Sequence, residues 1–197
     1  DAAGNFRFPH LRTINTSFLL TVQAKGFAPQ RKELPSEKGL ALVEFVLQPA
    51  KLLLGRVIDG AGRPVADAFV TTERWNRYRT VRWQSNTDSQ GRFTWDYPPA
   101  DAIEIRVNKE GFREITKEVV ADGREQTFVL TQPVTIQGAV TDSQTGAPVG
   151  RFKVTPGIQW PAGDNHATWQ VSESWVRWFT EGRYSYTFTW SGRAFAV

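Results

Sequence analysis

The 197-residue chain has no cysteine, no methionine and only 2 histidines. Without cysteine there is no disulfide framework, no thiolate metal site and no cysteine nucleophile. The lack of methionine, even at position 1, predicts a piece excised or processed from a longer polypeptide. His10 and His166 stand far apart, and there is no His-x-x-Glu pair and no His-Glu-x-x-His run. The ligand pattern of a zinc peptidase is therefore missing. No apolar stretch approaches the roughly 20 residues that span a bilayer, and no signal-peptide pattern opens the chain. EF-hand spacing is absent too; Asp59, Asp67 and Asp88 occupy turn positions where Asp is expected anyway. Asp164-Asn165-His166 reads as a polar loop after Pro161-Ala162-Gly163 rather than a metal corner. Asn15-Thr16-Ser17 fits a glycosylation acceptor, a triplet common by chance. No window has helical periodicity; the nearest, Ser172 to Phe179, is too short and too aromatic.

What the chain does contain is 40% hydrophobic and 22% charged residues, enough apolar material to bury a core. Its 11 Pro and 16 Gly are scattered, as punctuation between short strands is. The net charge of +4 is too small, and single-strand-binding signatures too absent, for a nucleic-acid protein.

Blocks recur along the chain. Asp1-Ala2-Ala3-Gly4-Asn5-Phe6 resembles Asp88-Ser89-Gln90-Gly91-Arg92-Phe93 and, one residue shorter, Thr180-Glu181-Gly182-Arg183-Tyr184. Val22 to Phe27 resembles Val107 to Phe112, and Phe45-Val46-Leu47 resembles Phe128-Val129-Leu130. Gly55-Arg56-Val57-Ile58-Asp59 with Gly62-Arg63-Pro64-Val65 resembles Gly138-Ala139-Val140-Thr141-Asp142 with Gly146-Ala147-Pro148-Val149. The spacing is about 83–87 residues, as from Gly55 to Gly138 and from Asp1 to Asp88, which is domain-sized. The block order predicts the second half of a module over 1–50, a complete module over 51–132 and the first part of a further module over 133–197. The two end pieces are either truncated copies or halves that complement each other.

Within the complete unit the period is two. Ile103, Ile105 and Val107 alternate with Glu104, Arg106 and Asn108; in the next unit Val134, Ile136 and Val140 alternate with Thr135, Gln137 and Thr141. This pattern predicts strands with the apolar side turned inward. Turns fall at Asp59-Gly60-Ala61-Gly62, Asp88-Ser89-Gln90-Gly91, Tyr97-Pro98-Pro99 and Asp122-Gly123. Short strands at such intervals predict paired sheets, with Val57, Val70, Phe93, Ile105 and Phe128 filling the space between them.

The run Gly55-x-Val57-x-Asp59-x-x-Gly62-x-Pro64-Val65-x-x-Ala68-x-Val70, then Thr87-Asp88-x-x-Gly91-x-Phe93, then Val107-x-x-x-Gly111-Phe112, resembles the carboxypeptidase regulatory-like domain. The resemblance covers the middle unit fully and the end units in part. It implies a transthyretin-like sandwich, related to starch-binding-like and Cna-B-like modules. The fold class expected is therefore all-β: tandem Ig-like or prealbumin-like β-sandwich modules, truncated at both ends. The resemblance also implies an accessory role and an extracytoplasmic, bacterial setting. It does not import peptidase chemistry, since the zinc ligands are missing. Nor do two histidines supply the pocket of the transthyretin-like hydrolases.

Two inserts at equivalent places depart from plain scaffold. One is Arg74-Trp75-Asn76-Arg77-Tyr78-Arg79-Thr80-Val81-Arg82-Trp83; the other, between Val154 and Thr180, carries Trp160, Trp169, Trp175 and Trp178. Of the 8 Trp, only Trp95 and Trp190 fall outside them. Three readings are open. The rings pack on the core or on a neighbouring module, as aromatic stripes usually do. They form a platform for a glycan, or for an anionic polysaccharide given Arg74, Arg77, Arg79 and Arg82 with no acid nearby. Or they anchor a protein partner. The candidate ligand-binding residues are Trp75, Arg77, Tyr78, Arg79, Arg82, Trp83, Trp160, Trp169, Trp175 and Trp178. No catalytic residue, metal site or cofactor is expected. The function expected is that of a non-catalytic spacer and carbohydrate- or protein-binding module in a larger extracytoplasmic protein. The alternative is an accessory domain of a multidomain enzyme whose catalytic domain lies elsewhere.

Overall fold

The computed structural model describes residues 4–6, 18–34, 43–160, 168–189 and 195–196. Regular structure there is almost wholly extended. β1 (Phe18–Val22) and β2 (Gln30–Leu34) pair antiparallel as a hairpin, closed through Gly26 at φ 81°. The next seven strands are β3 (Leu53–Asp59), β4 (Phe69–Trp75), β5 (Gln84–Asn86), β6 (Arg92–Trp95), β7 (Ile103–Asn108), β8 (Ile115–Val119) and β9 (Glu125–Leu130). They form one sheet of order β6-β3-β9 and another of order β5-β4-β7-β8.

The two sheets close over one interior. Leu53 and Val57 of β3, Phe93 and Trp95 of β6, and Phe128 and Leu130 of β9 meet Val70 of β4 and Ile103, Ile105 and Val107 of β7. All five core positions expected from the sequence lie here, buried. The alternation of β7 is the physical cause: with successive side chains on opposite faces, every second apolar residue leaves water on the same side. Gly55 sits opposite Phe93 in the β3–β6 ladder, and the Phe ring lies over it. A Cβ on Gly55 would stand 2.1 Å from that ring, so only glycine admits the plug.

Beyond β9 the blocks recur in three dimensions. β10 (Val134–Ala139) pairs with β15 (Arg183–Phe188), which sets Gly138 opposite Tyr184 as Gly55 is opposite Phe93. Val57 N–H donates to Gly91 O at 2.7 Å, and Val140 N–H donates to Gly182 O at 2.8 Å. Val65 N–H returns to Val57 O, and Val149 N–H returns to Val140 O. Asp59 Oδ1 accepts from the N–H groups of Ala61 and Arg63; Asp142 Oδ1 accepts from those of Gln144 and Thr145. These backbone donors, Arg63 for Asp59 and Thr145 for Asp142, hold both carboxyls below the usual carboxylate value.

β11 (Arg151–Val154) pairs with β14 (Arg177–Thr180), and a second, smaller core of Val154, Tyr186 and Phe188 gathers Ile136, Phe152, Phe179 and Tyr184. Here the sequence pattern overstates burial: Val134, expected inward, is 43% exposed. The apolar cover that β3 receives from the four-stranded sheet has a much smaller counterpart over β10 among the described residues. β12 (Gly157–Trp160) pairs with β13 (Thr168–Val171) and β16 (Phe195–Ala196). The window Ser172 to Phe179 holds a 3-10 turn at Glu173–Trp175, N-capped by Ser172, and then enters β14 at Arg177. His10, Asn15 to Ser17 and Asp164 to His166 lie outside the described residues.

Candidate functional site

The first insert starts in β4. Between Thr72 and Trp75 the β4–β7 register shifts: Thr72 faces Ile105, yet Trp75 faces Ile103. The extra residue is a bulge, and it reverses the parity of the strand beyond it. Val70 and Trp75, an odd number of residues apart, thereby both reach the core, where Trp75 is only 5% exposed. A two-residue turn follows. Trp75 and Tyr78 exchange both N–H···O bonds, at 2.8 and 3.0 Å, around Asn76 (φ 47°) and Arg77 (φ 73°). Two positive φ values define the hairpin turn normally written Asn-Gly. The turn takes Arg77 out of the alternation, so Trp75, Val81 and Trp83 face inward while Arg77, Tyr78, Arg79 and Arg82 face solvent.

Two groups from outside the insert hold its tip. The Asp101 carboxylate accepts the Trp75 indole N–H at 2.6 Å on one oxygen and the Asn76 amide at 2.8 Å on the other. From β2, the Arg31 guanidinium lies 5.1 Å from the centroids of both the Trp75 and Tyr78 rings and donates to the Trp75 carbonyl at 3.1 Å. Gln23 adds a bond to the Thr80 carbonyl at 3.0 Å. The aromatic pair thus receives a cation from the β1–β2 hairpin.

Trp83 packs against the core cluster and stacks on Trp95, centroids 5.0 Å apart and planes 14° apart. Its outer edge, with Arg79, Arg82, Tyr97, Glu73 and Arg106, lines a groove of about 600 Å³. The expectation of arginines without acids fails here. Glu73 pairs with Arg79 and, at 3.6 Å, with Arg106, because the bulge brings it beside β7. Arg74 and Arg77 line a second recess with Glu104 and Glu118. The charge of this face is mixed.

In the second insert Trp178 is 59% exposed, and the Arg151 guanidinium sits 4.5 Å from its ring centroid. Trp175 is half-buried, and its carbonyl accepts the Tyr186 hydroxyl at 2.8 Å. Burial pushes the Tyr186 phenol above its ordinary value. Trp160 and Trp169 are placed by backbone alone, on the paired strands β12 and β13. The structure therefore brings together Trp75, Tyr78 and the turn at Arg77, and separately Arg79, Arg82 and Trp83. Arg31, Asp101, Glu73 and Tyr97 were not foreseen. Only the Asn76-Arg77 pair between apolar positions offered a weak turn signal for the hairpin that recruits two of them.

Seven strands in two sheets over one filled interior define a β-sandwich structural module. Residues 53–131 match the family model of the carboxypeptidase regulatory-like domain, the resemblance carried by Gly55 to Phe112. No curated protein matches the sequence significantly. Among solved structures the chain is similar to 3-chlorocatechol 1,2-dioxygenase from Rhodococcus opacus 1CP, at 17% identity and a TM-score of 0.31, over 41% of this chain and 58% of that one. It is similar to a streptococcal ancillary pilin, at 10% identity and a TM-score of 0.30, over 88% of this chain and 63% of that one. A shaft pilin SpaA double mutant from Lactobacillus rhamnosus GG gives 13% identity and a TM-score of 0.27, over 72% of this chain and 83% of that one. The chain thus spans less than two thirds of the first two structures, 58% and 63%. Among the described residues no helix is long and apolar enough to cross a membrane, and no three metal-binding side chains cluster.

Proposed function

We propose that this chain is a non-catalytic run of β-sandwich modules that spaces and presents other parts of a larger, extracytoplasmic protein. In this reading residues 51–132 are one complete module, 1–50 the end of a preceding copy and 133–197 the start of a following one. The observation that carries it is the seat of Arg31 on Trp75 and Tyr78. The insert most suited to holding a ligand is engaged by the adjoining repeat block, so the partner of this surface is a neighbouring module. Trp75 and Trp83 give most of their ring area to the core, and a filled interior suits a spacer better than a reaction chamber.

A second reading has its own observation. Trp178 with Arg151, and the groove beside Trp83, leave aromatic and cationic surface for a glycan or anionic polysaccharide. Tryptophan fluorescence of the whole chain against neutral and acidic oligosaccharides separates the two. The spacer reading expects no change up to millimolar sugar. A saturable change that disappears in Trp178→Ala or Arg82→Ala would replace it with the glycan reading. An accessory role beside a catalytic domain predicts the same null titration and is decided by the flanking sequence of the parent protein.

A further inference from the structure

β3 and β9 open and close the central sandwich, and they are direct neighbours running parallel. Their register runs from Leu54 opposite Glu125 to Asp59 opposite Leu130. The chain enters the module at the start of β3 and leaves it at the end of β9. Tension along the polypeptide therefore pulls β3 backward and β9 forward, in opposite senses along one shared ladder. Nothing can open that ladder from one end. Its bonds are loaded together, in shear, and must fail together. In an antiparallel hairpin joined at one end, such as β1–β2, tension applied at the two open ends breaks one pair at a time.

We propose that the β3–β9 ladder is a mechanical clamp and that the central module is a tension-bearing element. Among the described residues β9 is the edge strand of its sheet, and this ladder is its strand pairing there. The same strand is held down by Phe128 and Leu130, both fully buried, with the Phe93 and Phe128 rings 5.5 Å apart. Arg92 bonds Glu125 across the sheet at 3.2 Å, and Lys117 of the facing sheet bonds the Thr127 carbonyl at 3.0 Å. Sliding β9 along β3 would draw two large side chains out of the core while it broke the ladder. On the inner side of β3, β6 braces the other edge, so β3 cannot follow its partner.

The inference rests on the spacer reading for its purpose, since only a linking module carries tension, but its test is independent of any ligand. The absence of cysteine allows force handles at chosen points of the whole chain. Lys51→Cys with Thr131→Cys loads the ladder in shear; Lys51→Cys with Arg124→Cys loads one end of it and peels it open. All three positions are exposed. Forced unfolding is governed by the barrier to unfolding and not by equilibrium stability. At matched pulling rate the shear pair should rupture at several-fold higher force than the peeling pair, although both variants unfold at the same urea concentration as the parent. Equal forces in the two geometries would overturn the clamp. If Thr131→Cys shifts the urea midpoint, Gln132→Cys supplies the anchor one residue further on. Equal forces with silent sugar titrations would remove the clamp and keep the spacer; a strong clamp with saturable sugar binding would do the reverse.

Discussion

Single residues bear the strain of this fold at its turns. Gly91 has φ 71°, and a Cβ there would stand 2.3 Å from the Val57 carbonyl oxygen. Gly91→Ala combines a left-handed backbone with a backbone clash, and should cost about 3 kcal/mol, read as a lower urea midpoint. Gly182 repeats the arrangement against Val140 O at 2.8 Å, with φ 64°. Arg77 presents the converse case. It holds φ 73° without being glycine, at the second place of a turn that prefers Asn-Gly. Arg77→Gly should stabilise the chain by about 1 kcal/mol with an unchanged denaturant slope. A loss of stability would mean that the Arg77 side chain makes a contact worth more than the backbone strain.

At the scale of elements, the insert is a strand end, a tight turn and a returning segment, and each serves packing. Trp83→Ala removes a ring stacked on Trp95 and should cost about 3 kcal/mol. Trp178→Ala, on an exposed ring, should stay within about 0.5 kcal/mol. Thermal melts of the two variants check the contrast, and equal losses would contradict the assignment of one ring to the core and the other to the surface. The seat of Arg31 is testable by a double-mutant cycle. Arg31→Ala and Tyr78→Ala should couple by about 1 kcal/mol, since they share one cation–aromatic contact. Additive losses would dissociate the hairpin β1–β2 from the insert and remove the principal support for a module joint.

For the whole molecule, the repeated aspartates tie stability to acid. Asp59 and Asp142 titrate below their ordinary value because turn N–H groups bond their ionised form. A carboxyl lowered on folding stabilises the fold above its unfolded value of about 4 and loses that contribution as pH falls through the lower folded value. The urea midpoint should therefore drop between pH 5 and pH 2.5 (both about, bracketing the carboxylate range). Asp59→Asn with Asp142→Asn should shrink the drop; an unaltered acid limb would place its cause in other carboxyls. The tyrosine side works the other way. Tyr186 is raised by burial, so its contribution holds below about pH 10 and fades above it.

The sequence alone determined the class of fold, because a period of two and Asp- and Gly-bearing turns are local encodings that need no knowledge of neighbours. Ile103, Ile105 and Val107 announce their shared face, and Asp59 and Gly91 announce turns whose blocks recur at Asp142 and Gly182. Tertiary structure decided everything about the tryptophans. A strict count by twos places Trp75, Arg77, Arg79, Val81 and Trp83 on one face, whereas a bulge before Trp75 and a turn at Asn76-Arg77 reset the count twice. Whether an arginine meets an acid, as Arg106 meets Glu73, or a ring meets a cation, as Trp75 meets Arg31, depends on segments distant in sequence. Such pairings are set by how the sheets and hairpins come together, and no local pattern carries them.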